Sequence, residues 1–175
     1  MVDHPGRAAR PRTGWAVLKA WTALLVVATG VALDLATKAW ARTALEPYGP
    51  ALDFLPFVSL RLTFNEGVSF SLFAFEGDLG QIALLAATGL LTLAMAVWAY
   101  RSQGWQRAAL SCVVAGALAN LIDRASRGSV TDFLALHFGD WHPFVFNLAD
   151  VWISAGVCIL LASSLGQEAK KPAIS

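Results

Sequence analysis

The stretch Gly116–Asp150 reads GALANLIDRASRGSVTDFLALHFGDWHPFVFNLAD and decides the fold, because it joins two hydrophobic runs through a polar segment. It contains four aspartates, two arginines and two asparagines. Carboxylates next to lipid are costly, so they persist mainly where they are paired, hydrated or functional. Asp132 and Asp150 have no adjacent basic residue, and each lies where a membrane-spanning segment should begin or end. The stretch therefore predicts a pair of acids held at a membrane surface.

The composition of the whole chain is that of an integral membrane protein. Of its 175 residues, 57% are hydrophobic and only 14% are charged, whereas about a quarter of the residues in soluble domains are charged. The mean hydropathy is +0.57. A chain of this length is most simply a single domain, here residues 1–175. The net charge of +1 and the absence of a basic cluster indicate no nucleic-acid partner.

Four apolar runs are long enough, alone or with their polar flanks, to approach the ~20 residues that cross a bilayer. The predicted spans are Trp15–Ala41, Ile82–Tyr100, Ala108–Ile122 and Val151–Leu165. Four spans place residues 1–13 and 166–175, both predicted to be tails, on one side. That side then carries eight of the 13 basic residues: Arg7, Arg10, Arg12, Lys19, Arg101, Arg107, Lys170 and Lys171. The excess of Lys and Arg predicts that both termini are cytoplasmic.

Between the first two spans the sequence predicts a small β-hairpin. Residues Val58–Asn65 alternate apolar and polar, which is the period of a strand. Asn65-Glu66-Gly67 is a good turn, and Val68–Leu72 alternates again. The hairpin is expected to lie on the membrane surface, although Ser69–Phe75 fits a short amphipathic helix equally well.

Two other segments lie outside the spans. Pro47–Pro56 has the composition of a turn-rich link, and Phe133–Phe146 has the aromatic content of an interfacial segment. Cys112 and Cys158 fall inside hydrophobic runs, where cysteine behaves as a small apolar side chain. With no CxxC pair and no HExxH spacing, no metal site is expected.

Helical spacing groups several polar residues on common faces. Gly116, Asn120 and Asp123 share a face of the third span by i, i+4, i+7 spacing. Asp123 beside Arg124 is predicted to be an ionised structural pair. The first span carries a similar pair, since Asp34 and a lysine at position 38 lie four residues apart near its outer end. The simplest interpretation of that pair is an ion pair on the helix surface.

Asp132 and Asp150 are the strongest candidates for chemistry. Two carboxylates brought together in a partly dry site cannot both ionise easily, so one proton is shared by the pair. The anionic acid of such a pair can activate a water while the neutral acid polarises a carbonyl. Asn147 lies three residues before Asp150 and shares its helix face. Spacing alone also allows helix-end capping acids, or a path for protons or ions.

Five motifs in order resemble those of signal peptidase II, the lipoprotein signal peptidase family. They are Asp34-x-x-x-Lys38, Phe64-Asn65-x-Gly67, Gly116-x-x-x-Asn120-x-x-Asp123-Arg124, Val130-x-Asp132-Phe133 and Phe146-Asn147-x-Ala149-Asp150. The resemblance covers Trp15 to about Leu165. It implies a mainly α membrane protein of four transmembrane helices, with a small extracytoplasmic β-hairpin or sheet cradle and an amphipathic flap at Val58–Phe75.

The same resemblance implies an aspartic endopeptidase of the bacterial inner membrane, which cleaves the signal peptide from diacylglyceryl-modified prolipoproteins. The implied partners are that substrate and membrane lipid, the implied state is a monomer, and no metal or organic cofactor is implied. Asp132 and Asp150 correspond to the catalytic aspartates of the family. The supporting and substrate-binding positions correspond to Asn65, Gly67, Gly116, Asn120, Asp123, Arg124, Asn147, Asp34 and Lys38.

Two other functions compete with a peptidase. A small transporter or proton-conducting protein could use Asp34, Asp132 and Asp150 as relay groups, but a relay needs titratable groups at several depths. The span Ile82–Tyr100 carries no charged residue, and the acids cluster at one face. A non-catalytic membrane scaffold would leave the asparagines and aspartates unexplained.

Overall fold

The computed structural model describes residues 13–67, 78–139 and 141–168, which form four helices and one sheet. The helices are α1 (Thr13–Ala44), α2 (Asp78–Arg101), α3 (Gly104–Arg127) and α4 (Leu148–Glu168). The strands are β1 (Leu52–Leu55), β2 (Val58–Asn65), β3 (Val130–Phe138) and β4 (Trp141–Phe146). The predicted fold class, four membrane-spanning helices with a small sheet, is confirmed.

Each helix contains a segment long and apolar enough to cross a membrane, with mean hydropathy between 1.4 and 2.1. The third span was predicted to end at Ile122, yet α3 continues through Asp123 to Arg127. It ends where Gly128 adopts φ 78° and its N–H donates to Arg124 O at 2.8 Å. A left-handed glycine is a common helix stop. The polar residues after Ile122 are therefore helical, which puts them on defined faces.

Helix α3 lies at the centre of the bundle and packs on the other three helices. Half of its span is buried within the protein, against 11–17% of the other spans. Small residues permit this approach: a Cβ on Gly116 would collide with Ala149 O, and one on Gly156 would collide with Ala109 O. Close backbone approach of this kind is how membrane helices gain packing contacts. It fixes the first turn of α4 against the middle of α3.

The sheet is antiparallel throughout, with the strand order β1-β2-β3-β4. In the β2–β3 pair, Leu60 lies opposite Leu134 and Thr63 lies opposite Asp132, with an irregular step between them. Two residues separate α3 from β3, and a single residue, Asn147, separates β4 from α4. These short connections hold the sheet against the ends of α3 and α4.

The segments outside the spans contain more strand than was predicted. The link Pro47–Pro56 contains β1, and Phe133–Phe146 contributes most of β3 and all of β4. Strand β3 is apolar on both faces along Phe133–Leu136, so it shows no alternation that would mark a strand. The sheet therefore forms from residues 52–65 and 130–146, and not from Val58–Phe75 alone. The proposed second hairpin strand and flap, residues 68–75, lie outside the described residues.

Candidate active site

The predicted acids lie between the sheet and the N-terminus of α4. Asp132, on β3, is only 4% exposed, and Asn147 is fully buried. Asp132 borders an open cleft of about 450 Å³ between β2 and the turn before β1. The cleft is lined by Tyr48, Thr63, Phe64, Asn65, Glu66, Gly67, Asp132 and Val145. A nearly buried carboxylate at the wall of an open cleft can meet a substrate while staying largely dry.

Asp150 is fixed by the first turn of α4. The backbone N–H of Asn147 donates to Asp150 Oδ2 at 3.0 Å, and the backbone N–H of Asp150 donates to Asn147 Oδ1 at 3.1 Å. This reciprocal pair is a capping box, in which the cap residue and the third helical residue satisfy each other's free N–H groups. The positive end of the helix dipole also favours an anion at this position. The side chain of Asp150 is therefore held in a fixed orientation.

Asn147 also bonds to the other acid, so it links the two. Its side-chain Nδ2 donates to Asp132 Oδ1 at 2.6 Å. The pKa of Asp132 is raised to about 6, mainly by burial and also by the charge of Asp150, against the lowering effect of the hydrogen bond from Asn147. A hydrogen bond with the side chain of Asn65 also lowers this pKa. The pair thus combines an anchored carboxylate with an acid that takes up a proton more readily than usual.

A buried chain of polar groups runs from α1 to Asp150. Lys38 Nζ lies 2.7 Å from Asp34 Oδ2 and donates to Asn120 Oδ1 at 2.6 Å. Asn120 Nδ2 in turn donates to Asp150 Oδ1 at 3.1 Å. Asp34 Oδ1 accepts from the backbone N–H of Ala149 at 2.7 Å. Both side chains of the Asp34–Lys38 pair are 0% exposed, so the simpler interpretation, an ion pair on the helix surface, does not hold.

Asp123 anchors the start of β3. It was predicted to pair with Arg124, but its ion pairs are with other residues. Its carboxylate, 1% exposed, lies 3.2 Å from Arg42 Nη1 and 3.6 Å from Arg127 Nε. It also accepts from the backbone N–H of Thr131 at 2.8 Å. Neighbours on a helix point about 100° apart, so Asp123 turns inward to α1 and β3 while Arg124 turns to the cleft.

Arg124 supports the turn that follows β2. Its Nη2 donates to Asn65 O at 3.2 Å, and Asn65 Oδ1 accepts from the Gly67 N–H at 2.9 Å. Gly67 has φ 79°, which favours glycine. A Cβ there would collide with Leu84 and approach Arg124 Nη2 to 3.3 Å. The turn is therefore built around a glycine and braced from α3.

The predicted site residues thus fall into three connected groups around the acids. The first is the chain from Asp34 through Lys38 and Asn120 to Asp150, the second is Asn147 with Asp132, and the third is the Asn65–Gly67 turn with Arg124. Gly116 serves the packing of α4, and Asp123 serves the placement of β3. Across the described residues, no cluster of three or more His, Cys, Asp or Glu side chains is arranged to hold a metal ion.

Sequence reasoning missed three residues of this region. Arg42 donates to Thr131 Oγ1 at 2.8 Å as well as pairing with Asp123. Tyr48 lines the cleft. Arg42 lies four residues after Lys38, so helical spacing placed it on the same face and offered a signal. Nothing in the sequence near Thr131 or Tyr48 offered a comparable one.

The fold and site define a class: a multi-pass membrane enzyme with two carboxylates held at the ends of its helices and sheet. The family profile of signal peptidase (SPase) II, Peptidase_A8, matches residues 26–166. The chain belongs to the signal peptidase II family and is an aspartic peptidase.

Relatives and solved structures agree with this family. The chain is 38% identical over 155 residues to the lipoprotein signal peptidase of Methylorubrum extorquens, covering 85% of this chain and 88% of that one. It is 38% identical over 162 residues to the lipoprotein signal peptidase of Sphingopyxis alaskensis, covering 86% and 92%. A bacterial membrane enzyme solved by the in meso method at 2.3 Å superposes with a TM-score of 0.73, at 23% identity over 88% of this chain and 93% of that one. This last likeness concerns the fold.

Proposed function

We propose that this chain removes the signal peptide from diacylglyceryl-modified bacterial prolipoproteins, cleaving just before the lipidated cysteine. Asp132 and Asp150 act together on a water molecule, without a covalent intermediate. Membership of the signal peptidase II family supports the substrate class. One structural observation carries the mechanism: Asn147 hydrogen-bonds to both acids and so holds them as a pair.

The two acids take different roles because their surroundings differ. Asp150 accepts N–H groups at both carboxylate oxygens and caps a helix N-terminus, so it is assigned as the anionic base. Asp132 is nearly buried, and its raised pKa suits it to hold the proton. Asn147 donates to Asp132 Oδ1, so this oxygen acts as the acceptor and holds the side chain in place.

The proton transfers of the reaction then balance between the two acids. Asp150 takes a proton from the water while the water oxygen bonds to the scissile carbonyl carbon. At the same time, Asp132 gives its proton to the carbonyl oxygen. In the second half, the tetrahedral intermediate returns its hydroxyl proton to Asp132. Asp150 gives its own proton to the leaving nitrogen as the C–N bond breaks. Both acids end in their starting states.

The remaining site residues are divided between substrate and acids. Asn65 and Gly67 lie in the cleft wall, where an exposed turn can contact an extended peptide. Arg124 supports that turn. The side-chain amides of Asn120 and Asn147 donate hydrogen bonds to the acids. We therefore assign both residues to positioning the acids and not to direct contact with the peptide.

The setting follows from the substrate. We assign the chain to the bacterial cytoplasmic membrane as a single-domain monomer, with both termini cytoplasmic and the active site at the extracytoplasmic face. The acyl chains of the substrate anchor it in the bilayer, each buried methylene contributing about 0.8 kcal/mol. No metal or organic cofactor is assigned to the reaction.

A gel-shift assay with a lipidated prolipoprotein in detergent tests the proposal. The wild type should cleave it, and Asp132→Asn and Asp150→Asn should each abolish cleavage while the protein remains folded. Asp53→Asn, on the exposed strand β1, is the matched control and should cleave normally. Near-wild-type cleavage by either dyad variant would refute the mechanism. Equal kcat/KM for matched lipidated and unlipidated substrates would refute the substrate class.

A further inference from the structure

Tyr48 has the least expected backbone conformation in the described part of the chain. Its φ is 55°, and every other positive φ recorded there belongs to a glycine. Side chains rarely adopt this left-handed region, and an aromatic residue gains nothing from it locally. Gly49 follows directly and could have occupied such a position without cost. Conformations of this kind persist only where the surroundings enforce them, and they cluster at functional sites.

The surroundings of Tyr48 do enforce it. The backbone N–H of Tyr48 donates to Leu62 O at 2.8 Å, next to an isolated bridge between Pro47 and Leu62. Leu62 is 1% exposed and belongs to the apolar core beneath β2. The N–H of Gly49 closes the turn on Glu46 O at 3.1 Å. The turn is thereby pinned to the middle of β2.

The Tyr48 ring is not buried by this arrangement. It is 59% exposed and meets the ring of Phe64 edge to face, with centroids 5.9 Å apart. Both rings line the cleft that Asp132 borders. A core residue would be covered, whereas this ring is held at the rim of the site with most of its surface free.

We propose that Tyr48 and Phe64 form an aromatic wall that accepts one apolar side chain of the substrate peptide, so that Tyr48 determines specificity. The proposal rests on the proposed peptidase function. Tyr48 lies beside β2, whereas Asp132 lies on β3, so about two strand spacings, on the order of 10 Å, separate their backbones. An extended peptide advances about 3.3 Å per residue. The accepted side chain therefore lies roughly two to four residues from the cleaved bond.

The test compares preferences and not only rates. Lipidated prolipoprotein substrates carry alanine, one at a time, at the four positions on each side of the cleaved bond, the lipidated cysteine excepted. For each substrate, kcat/KM is measured with the wild type, Tyr48→Gly and Tyr48→Phe. Glycine suits the φ of 55° and removes the ring, whereas phenylalanine keeps the ring. Trp141→Ala, which removes a 65% exposed aromatic outside the cleft lining, is the control.

We expect one apolar substrate position at which alanine costs the wild type about tenfold or more in kcat/KM. With Tyr48→Gly that penalty should fall to less than about threefold, while Tyr48→Phe and Trp141→Ala keep the wild-type preference. If Tyr48→Gly instead lowers kcat/KM uniformly for every substrate, or leaves the wild-type preference unchanged, the assignment of Tyr48 is overturned. Failure of the wild type to cleave any lipidated substrate would instead sink the proposed function itself.

Discussion

Lys38 donates a hydrogen bond of 2.6 Å to Asn120 Oδ1, and this contact determines which way the Asn120 amide faces. An ammonium group has only donors, so Asn120 must present its oxygen to Lys38. Its NH₂ group is then directed at Asp150 Oδ1, 3.1 Å away. A buried charge on α1 thus sets the hydrogen bonding of a carboxylate on α4. Four residues in contact carry that influence, beginning with Asp34.

The first prediction separates the effect of the Asn120 orientation on turnover from the effect of the buried ion pair on stability. Lys38→Met leaves Asp34 as an unpaired buried carboxylate, which should cost about 3–5 kcal/mol of unfolding free energy. It should also lower kcat at least about 100-fold, because nothing fixes the Asn120 amide. The double variant Asp34→Asn/Lys38→Met removes both charges, so its thermal stability in detergent should recover while kcat stays low. Full turnover by the double variant would show that the Lys38–Asn120 contact does not matter to the chemistry.

The second prediction concerns pH. Asp132 must hold a proton, and its pKa is about 6. We therefore expect kcat/KM to fall as pH rises through about 6. Asn65→Ala removes a hydrogen bond that lowers this pKa, so it should move the fall to higher pH. A profile that stays flat to pH 8 would contradict the assignment of Asp132 as the acid.

Stability should follow the same group. The folded-state pKa of Asp132 lies above its unfolded value of 3.8, so the folded state binds the proton more tightly. The contribution of protonated Asp132 to the free energy of unfolding is fully present below about pH 4. It is lost as pH rises through about 6, by up to about 3 kcal/mol. Thermal unfolding of Asp132→Asn should lack this part of the pH dependence. The control is the wild type measured in the same detergent and buffers.

The third prediction tests the packing of α3 on α4. Gly116→Ala places a Cβ against Ala149 O and 2.8 Å from Ile153 Cγ1, so the first turn of α4 must shift. Overpacking of this kind costs about 1–3 kcal/mol, and it should also reduce turnover because Asp150 lies in that turn. Gly89→Ala meets only Leu121 methyl groups at 3.9 Å and should leave both unchanged. Equal behaviour of the two variants in unfolding and activity assays would refute the argument.

The fourth prediction concerns Asp123. Asp123→Asn weakens its contacts with Arg42 and Arg127 while keeping an acceptor for the Thr131 N–H. We expect a loss of several kcal/mol in unfolding free energy, with a smaller effect on kcat in the folded fraction. Asp53→Asn, on exposed β1, supplies the matched loss of charge without loss of stability. A variant with normal thermal stability and no activity would place Asp123 among the catalytic groups.

The fifth prediction isolates the turn after β2. Gly67→Ala and Gly139→Ala impose the same left-handed strain, at φ 79° and 61°. Of the two, only position 67 meets neighbours, Leu84 and Arg124, whereas a Cβ at 139 has none within 4 Å among the described residues. Gly67→Ala should therefore raise KM or stop turnover well beyond the effect of Gly139→Ala. Matching kinetics for the two would reduce the turn to a plain connection.

The sequence predicted the helices well because each is an apolar run, and it predicted β2 because its two faces differ in polarity. It failed for β3 because Phe133 to Leu136 is apolar without alternation. It placed Asp123 with its neighbour Arg124 because adjacency is visible in a sequence. The actual partner Arg42 lies 81 residues away, at a distance that only the folded helices close.

The same limit applies to the Asp34–Lys38 pair. Spacing of four residues predicted the contact between the two side chains, and that contact is present at 2.7 Å. Whether it faces lipid, water or protein depends on α3 and α4, which the local pattern does not describe. Packing against the other helices buries both side chains, which the spacing of two residues on one helix could not predict.

The short connections around the sheet have a mechanical consequence. Only Gly128 and Ser129 separate α3 from β3, and only Asn147 separates β4 from α4. When bilayer thickness does not match helix length, helices respond to hydrophobic mismatch by tilting. With no slack in either connection, the sheet must follow that tilt, and the cleft keeps a constant height above the helix ends. Under the proposed function, we therefore expect cleavage only of substrates whose scissile bond lies at one fixed distance from their acyl chains.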